Sequence, residues 1–476
     1  MWYSPASDFP AALAILPALA AFALMACAAG WLATRPLHAL VLISVLVLQG
    51  ALQLPLAINA GVWLYPEDLV FGALALACVV RFTVFRRRGA VPWAWWIIGA
   101  VQLLLVAWGM AAFGTQGGVD ARGHAYLWIS VLYCCSFPWD DAMLRGFQRI
   151  CIGTSLVLCC LVAWRWINCL LDPAYEQTIM LMDSTGVRFR VVSSSAAFII
   201  AAGALAVLHR MLGPRPLALG WPLLAWQLAT VLVLQHRSVW VSTFVGILCL
   251  AWAGRGRAST ARLLAAVAIL AVPLALVALL PSEDGMLASV KSSADAAMST
   301  KEGTMVGRVQ NWDELLAQWW AARDPVVWLL GRPYGSGYNP VEMWDGEVFD
   351  MVPHNHFMHL LYRGGLVGLG ATLWLFGRTW YLVLVAATRG AGSQRAWAPL
   401  FLAALSALYA YCIPYWASYD NGVLLGIAIA RFGHSARAAA PVFRAAPARG
   451  FAAQAAPARG FAPRSLRAPR FSGRGK

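Results

Sequence analysis

Apolar runs of roughly 20 residues recur along most of the 476-residue chain, and this repetition constrains its fold more than any other feature. A run of that length crosses the ~30 Å hydrocarbon core of a bilayer as a single helix. About thirteen candidate spans follow by this criterion: 11–33, 38–58, 68–86, 91–113, 125–139, 149–171, 193–212, 216–234, 238–254, 262–281, 357–386, 397–414 and 420–433. The stretch 357–386 suits either a tilted helix or an interfacial piece followed by a span. Composition agrees, since only 12% of residues are charged, about half the soluble average. Lipid forces every backbone group to bond within the chain, and the two-residue alternation of barrel strands is absent. The expected fold is therefore an all-α polytopic membrane protein with about 12–13 transmembrane helices.

Basic residues orient it. Arg35, Arg86 to Arg88, Arg145 with Arg149, Arg210 with Arg215, Arg255 with Arg257, and Arg389 with Arg395 lie in every second connection. The positive-inside rule assigns those connections to the cytoplasm, and counting back puts the N-terminus outside. The first span lacks a basic leader, so it reads as retained. The expectation is a multi-pass protein of the bacterial cytoplasmic (inner) membrane, with a membrane domain over 1–433. Residues 434–476 contain many arginines and no acid, and AAPARGFA occurs at 445–452 and again at 455–462. That composition predicts a disordered cytoplasmic tail held against anionic lipid, with no nucleic-acid partner. All ten cysteines lie in or beside apolar spans, so no disulfide framework is expected.

On the outer side, 59–67, 114–124 and 172–192 are short or moderate connections, and Gln235 to Ser238 form a mere corner. The connection 282–356 is far longer, which in a compact domain points to function or disorder. Within it, 308–330 places Val309, Trp312, Leu315, Leu316, Trp319 and Trp320 on one helical face, predicting an amphipathic helix at the interface. GRPYGSGYNP at 331–340 reads as a turn cluster, and PHNHFMHLLYRGGLVGLG at 353–370 begins the next span with three histidines. Arg188, Arg190, Arg237, Arg308 and Arg332 therefore come to one membrane face, with His354 and Asn355. The planar fork of arginine matches phosphate oxygens, so the set suits a lipid-linked diphosphate. The plain alternative is snorkelling or local ion pairing.

Four stretches in order resemble the bacterial O-antigen ligase and O-antigen polymerase superfamily. His354-Asn355 with Gly365 and Gly368 is similar to its His-Asn pair and following Gly-x-x-G. LQHRSVWVS at 234–242 resembles its arginine corner, with Val241 where leucine is frequent. GRVQNWDELLAQ with LLGRPYGSG is similar to its loop motif, and VRFRVVSSSAAF at 187–198 supplies a further arginine, Arg188 or Arg190. The resemblance covers roughly 185–385. It implies a metal-independent, cofactor-free inverting glycosyltransferase. The enzyme would move a glycan from undecaprenyl diphosphate to a glycan or lipid A core acceptor at the periplasmic face. By the same resemblance His354, Arg237 and Arg308 are the catalytic candidates. Arg190 or Arg188, Asn355 and Arg332 are candidates for binding diphosphate or glycan, and Gly365 and Gly368 would pack against a neighbouring helix or lipid. Polymerase is slightly preferred over ligase, because span number varies more among polymerases.

Other readings remain. His354, His356 and His359 would share a metal only on an unwound helix start, with Glu347 or Asp350 as fourth ligand. A polysaccharide or lipid-linked sugar transporter or flippase would carry ionisable groups near the midplane and repeated halves. No repeat is visible in 1–433, and only Arg165 and Arg363 are intramembrane candidates. A metal-dependent oligosaccharyltransferase has only Glu67-Asp68 as its acidic pair.

Overall fold

A computed structural model describes residues 11–54, 56–59, 63–86, 89, 91–172, 175, 190–214, 216–255, 268, 304–338, 340–342, 348–350, 352–415 and 417–433. Apolar continuity and capping define the first helices: α1 (Ala11–Leu32), α2 (Pro36–Leu52), α3 (Pro66–Thr83), α4 (Trp93–Phe113), α5 (Thr115–Cys135) and α6 (Asp141–Leu171). Next come α7 (Ser194–Leu212), α8 (Gly220–Val233) and α9 (Arg237–Gly254). The long connection holds α10 (Thr304–Ala321) and α11 (Pro325–Leu330), and the chain ends in α12 (His356–Arg389), α13 (Gly392–Cys412) and α14 (Tyr419–Phe432). Caps set several starts. Asp68 accepts from the Tyr65 N–H at 2.8 Å, and Asp140 from the Met143 N–H at 2.8 Å. Two antiparallel ribbons, β1 (Ile58–Asn59) with β2 (Trp63–Leu64) and β3 (Pro340–Glu342) with β4 (Val348–Asp350), decorate the connections.

The protein is an all-α polytopic membrane protein. Among the described residues five helices are long and apolar enough to cross a bilayer: α4, α6, α7, α9 and α12. Helices α2 and α8 are apolar but shorter, α3, α5, α13 and α14 are shorter or less apolar, and 262–281 lies almost wholly outside the described residues, as do Arg188 and the tail 434–476. Helix α13 packs on α9 and α12, α14 on α5, and α7 on α6 and α8. Helices α13 and α14 are buried along most of their length, so 420–433 is an interior helix of the bundle.

One expectation changes. Residues 114–124 are not a loop: Gly114, at φ +61°, is a one-residue corner and α5 starts beside it. A Cβ at Gly117 would lie 2.5 Å from the Gly109 carbonyl carbon, so this glycine-rich run serves a tight helix crossing. The amphipathic helix α10 forms where it was expected, and the structure shows which part of its stripe is covered. Leu315 and Trp319 are buried with Asn311, one turn apart, whereas Val309, Leu316 and Trp320 are exposed.

The bundle has two polar ends. At one, Arg431 on α14 pairs with Asp141 on α6 at 3.0 Å and bonds Ser393 on α13. At the other, the starts of α7, α9, α12 and α14 meet the ends of α8 and α13 and the beginning of α10. That end collects Arg190, Arg237, Arg308 and His354.

Candidate active site

Each side chain at this end is held by a backbone device. The corner between α8 and α9 puts Gln235 in the left-handed region, at φ +55°, which turns the chain within three residues. The carbonyl of Gln235 accepts from Arg190 Nη2 at 3.1 Å. His236 lies 2.9 Å from the Val192 carbonyl, which can only accept, so its Nε2 is the donor. Burial, with Arg190 nearby, lowers its pKa to about 4 and keeps the ring neutral. The start of α7 and the corner are thus locked together, and Arg237 follows as the first residue of α9.

Arg308, in the first turns of α10, donates from Nη1 to the Pro414 carbonyl at 3.1 Å, and its guanidinium lies 5.1 Å from the Tyr415 ring centre. The same tyrosine meets the His354 ring edge-on at 5.8 Å. His354 has φ +43°, a conformation costing a non-glycine residue ~1–2 kcal/mol. Its neighbours enforce it. The Trp312 indole donates to the Pro353 carbonyl, and Asn311 Nδ2 to the Val352 carbonyl at 3.4 Å. On the other side the His356 N–H donates to the Tyr415 carbonyl at 3.0 Å. Asn355 Oδ1 accepts from the N–H groups of Phe357 at 2.9 Å and Met358 at 3.0 Å, capping α12.

Arg190, Arg237 and Arg308 act on one another electrostatically, and none of them pairs with a carboxylate among the described residues. Burial, then the fields of Arg237 and Arg308, lower the Arg190 pKa, yet a guanidinium stays charged at neutral pH. The buried Nε atoms of Arg190 and Arg237 have no hydrogen-bond partner among the described residues. Three cations gathered without an anion cost free energy unless an anionic ligand completes them. Beside them, burial and then Arg308 hold His354 below the ordinary histidine pKa. The imidazole is neutral at pH 7 and competent to take a proton.

A second polar group lies beside this cluster. Arg363, fully buried, pairs with Asp120 at 2.8 Å, bonds Ser336 Oγ at 2.7 Å and the Gly337 carbonyl at 3.0 Å, and also holds the Pro333 carbonyl. Tyr338 Oη and His359 Nδ1 are 2.7 Å apart, and His359 Nε2 and His124 Nδ1 2.8 Å. These bonds clamp the 331–338 turn onto α5 and the first turns of α12. Helix α12 breaks at Gly365, whose φ is +57°. A Cβ there would lie 2.4 Å from the Leu329 carbonyl, whereas at Gly368 it would meet only the Leu360 oxygen at 4.0 Å. The stretch 356–389 is therefore a short half-helix followed by a span. Gly365→Ala is expected to cost about 2 kcal/mol or more, while Gly368→Ala is expected to be neutral to stabilising. Thermal unfolding in detergent checks the pair.

Of the residues singled out in the sequence, Arg190, Arg237, Arg308 and His354 come together, and Arg188 lies outside the described residues. Arg332 does not join them. It donates from Nη2 to the Gln318 carbonyl at 3.4 Å and lies over the Tyr362 ring at 5.1 Å, as part of the turn clamp. Asn355 uses its carboxamide oxygen on the helix cap, which leaves that atom no role toward His354 or a sugar. The three histidines do not converge either, since His356 accepts from the Ala417 N–H at 3.4 Å and His359 sits between Tyr338 and His124. Sequence reasoning missed Tyr415, which bridges Arg308 and His354 and belongs to no motif. It also missed His236, which sits inside the recognised corner.

Residues 222–373 match the family model described as O-antigen ligase, a segment that includes Arg237, Arg308 and His354. No curated protein matches the chain.

Proposed function

We propose, from the O-antigen ligase match and the arginine cluster, that the protein is an inverting glycosyltransferase. It takes its glycan from undecaprenyl diphosphate at the periplasmic face of the inner membrane, in a membrane ligase or polymerase role. The observation that carries this is the trio Arg190, Arg237 and Arg308, without a counter-carboxylate among the described residues and adjoining a neutral His354. Arg190 and Arg237 receive the diphosphate, and Arg308 faces both it and the base.

His354 takes the proton of the acceptor hydroxyl as its oxygen attacks the anomeric carbon. The bond from that carbon to the phosphate oxygen breaks, and the electron pair leaves with the lipid diphosphate. The guanidinium groups, fixed before reaction, stabilise the charge developing on the leaving group. The proton ends on the imidazole and passes to water.

Deletion of the gene tests the reading in the host. Lipopolysaccharide with all O-antigen bands lost and lipid-linked polymer retained identifies a ligase. Single-repeat products identify a polymerase. Unchanged surface and secreted polysaccharide would remove the proposal.

A further inference from the structure

A cavity of about 610 Å³ opens at the same end of the bundle. It lies between the starts of α3, α5 and α14, and the mechanism above does not use it. Its rim is Tyr65, Glu67, Arg122, Tyr126, Ser418 and Tyr419, and its inner wall includes the clamped Tyr338 and His359. We propose that this cavity is a sugar-binding subsite for the acceptor glycan. This assignment rests on the transferase reading.

The size fits. At about 30 Å³ per water the space equals some 20 waters, within the usual range of small-ligand pockets. The lining also fits. A pyranose presents an apolar C–H face ringed by hydroxyls, so it needs aromatic surface together with fixed donors and acceptors. Tyr65, Tyr126 and Tyr419 supply the rings. Arg122 supplies donors and is already positioned. It pairs with Asp68 at 3.5 Å, donates to the Trp63 carbonyl at 2.8 Å and sits 5.4 Å over the Tyr65 ring. The Tyr126 hydroxyl donates to the same Asp68 oxygen, Oδ1, at 2.5 Å. Glu67 makes no hydrogen bond or ion pair among the described residues, so its oxygens are free to accept from sugar hydroxyls. The carboxylates of Glu67 and Asp120 on the lining argue against a second diphosphate, in contrast with the carboxylate-free arginine cluster.

Location selects the acceptor over the donor. Two short segments build both places. Residues 352–356 give Val352 to the cavity and His354 to the cluster. Residues 414–419 give Pro414 and Tyr415 to the cluster, and Ala417, Ser418 and Tyr419 to the cavity. A glycan held in the cavity therefore adjoins the base that must deprotonate it, and the diphosphate keeps the arginines.

The test uses the full-length protein in detergent with oligosaccharides released by mild acid hydrolysis from the host cell envelope. Glu67→Gln is isosteric, and Tyr65→Ala removes an exposed ring; both are compared with wild type. Titration without donor, followed by tryptophan fluorescence, is expected to show binding to wild type and about tenfold weaker binding to each variant. In transfer assays the acceptor KM is expected to rise about tenfold with the donor KM unmoved. Variants that bind the oligosaccharides as wild type does, or that raise the donor KM instead, overturn the assignment. Weakened binding in a protein that transfers nothing would leave the cavity a glycan site and sink the transferase reading alone.

Discussion

His354→Ala is expected to lower glycan transfer by about 100- to 10,000-fold, the usual contribution of a general base, in a protein that still folds and inserts. The ring lies beside Tyr415 and Arg308, while the fold is held by the backbone around it: the Asn355 cap, the Trp312 bond to Pro353 and the His356 bond to Tyr415. Alanine keeps all of these. Histidine is commoner at positive φ than alanine, so the substitution adds some backbone strain at φ +43° while leaving those bonds in place. The pH dependence gives a second reading. The His354 pKa is lowered by burial and then by Arg308, so the base stays unprotonated to lower pH than a free imidazole. The acid limb of kcat/KM is expected below pH ~6.5. Arg308→Ala removes the second cause and should move that limb upward. His356→Ala and His359→Ala should chiefly lower stability, because those rings pack inside the first turns of α12. Transfer by purified protein decides, with and without EDTA. Equal loss in all three variants together with chelator sensitivity would replace the base with a metal site, and a fully active His354→Ala would remove it from the chemistry.

Arg237→Ala is expected to cost about 100- to 1000-fold in transfer, the usual effect of removing one preorganised group from a developing charge. Arg237 begins α9, and no hydrogen bond or ion pair of its side chain to a described residue is seen. Alanine there therefore breaks no hydrogen bond or ion pair to a described residue, and lost activity reports chiefly on substrate. Arg237→Lys separates charge from geometry. If charge alone matters, lysine restores most of the rate; if two phosphate oxygens are bridged, lysine stays near alanine. The loss should appear in kcat and kcat/KM together if the group acts mainly in the transition state. Wild-type transfer by Arg237→Ala with lipid-linked donor would exclude it from the site.

Much of the architecture was legible from local pattern. Twenty-residue apolar runs lead to helices because lipid leaves the backbone no other partner, and α4, α6, α7, α9 and α12 all formed where such runs occur. An error came where the same residue type serves two ends. Gly117 read as a loop residue, yet it is where α5 crosses α4 at backbone contact. Helix α10 formed where its apolar stripe was read, with Leu315 and Trp319 turned inward and Trp320 exposed.

The arginine corner, the loop helix and the His-Asn pair are local motifs, so Arg237, Arg308 and His354 could be named from residue order alone, while the further arginine stayed open between Arg188 and Arg190. Their chemistry is intrinsic to the side chains, and the membrane period fixes the end of the bundle at which each emerges. Whether they meet is a property of long-range packing. Only the tertiary structure joined α7, α9, α10 and α12 through the Gln235 carbonyl of the corner and through Pro414 and Tyr415, two residues with no sequence signal of their own. It also separated Arg332 from the cluster, because the turn that carries it folds back onto Tyr362, and it set Asn355 to capping α12. Contacts between segments more than a hundred residues apart, such as Arg308 with Pro414, depend on how whole helices seat against one another, and no local pattern records that.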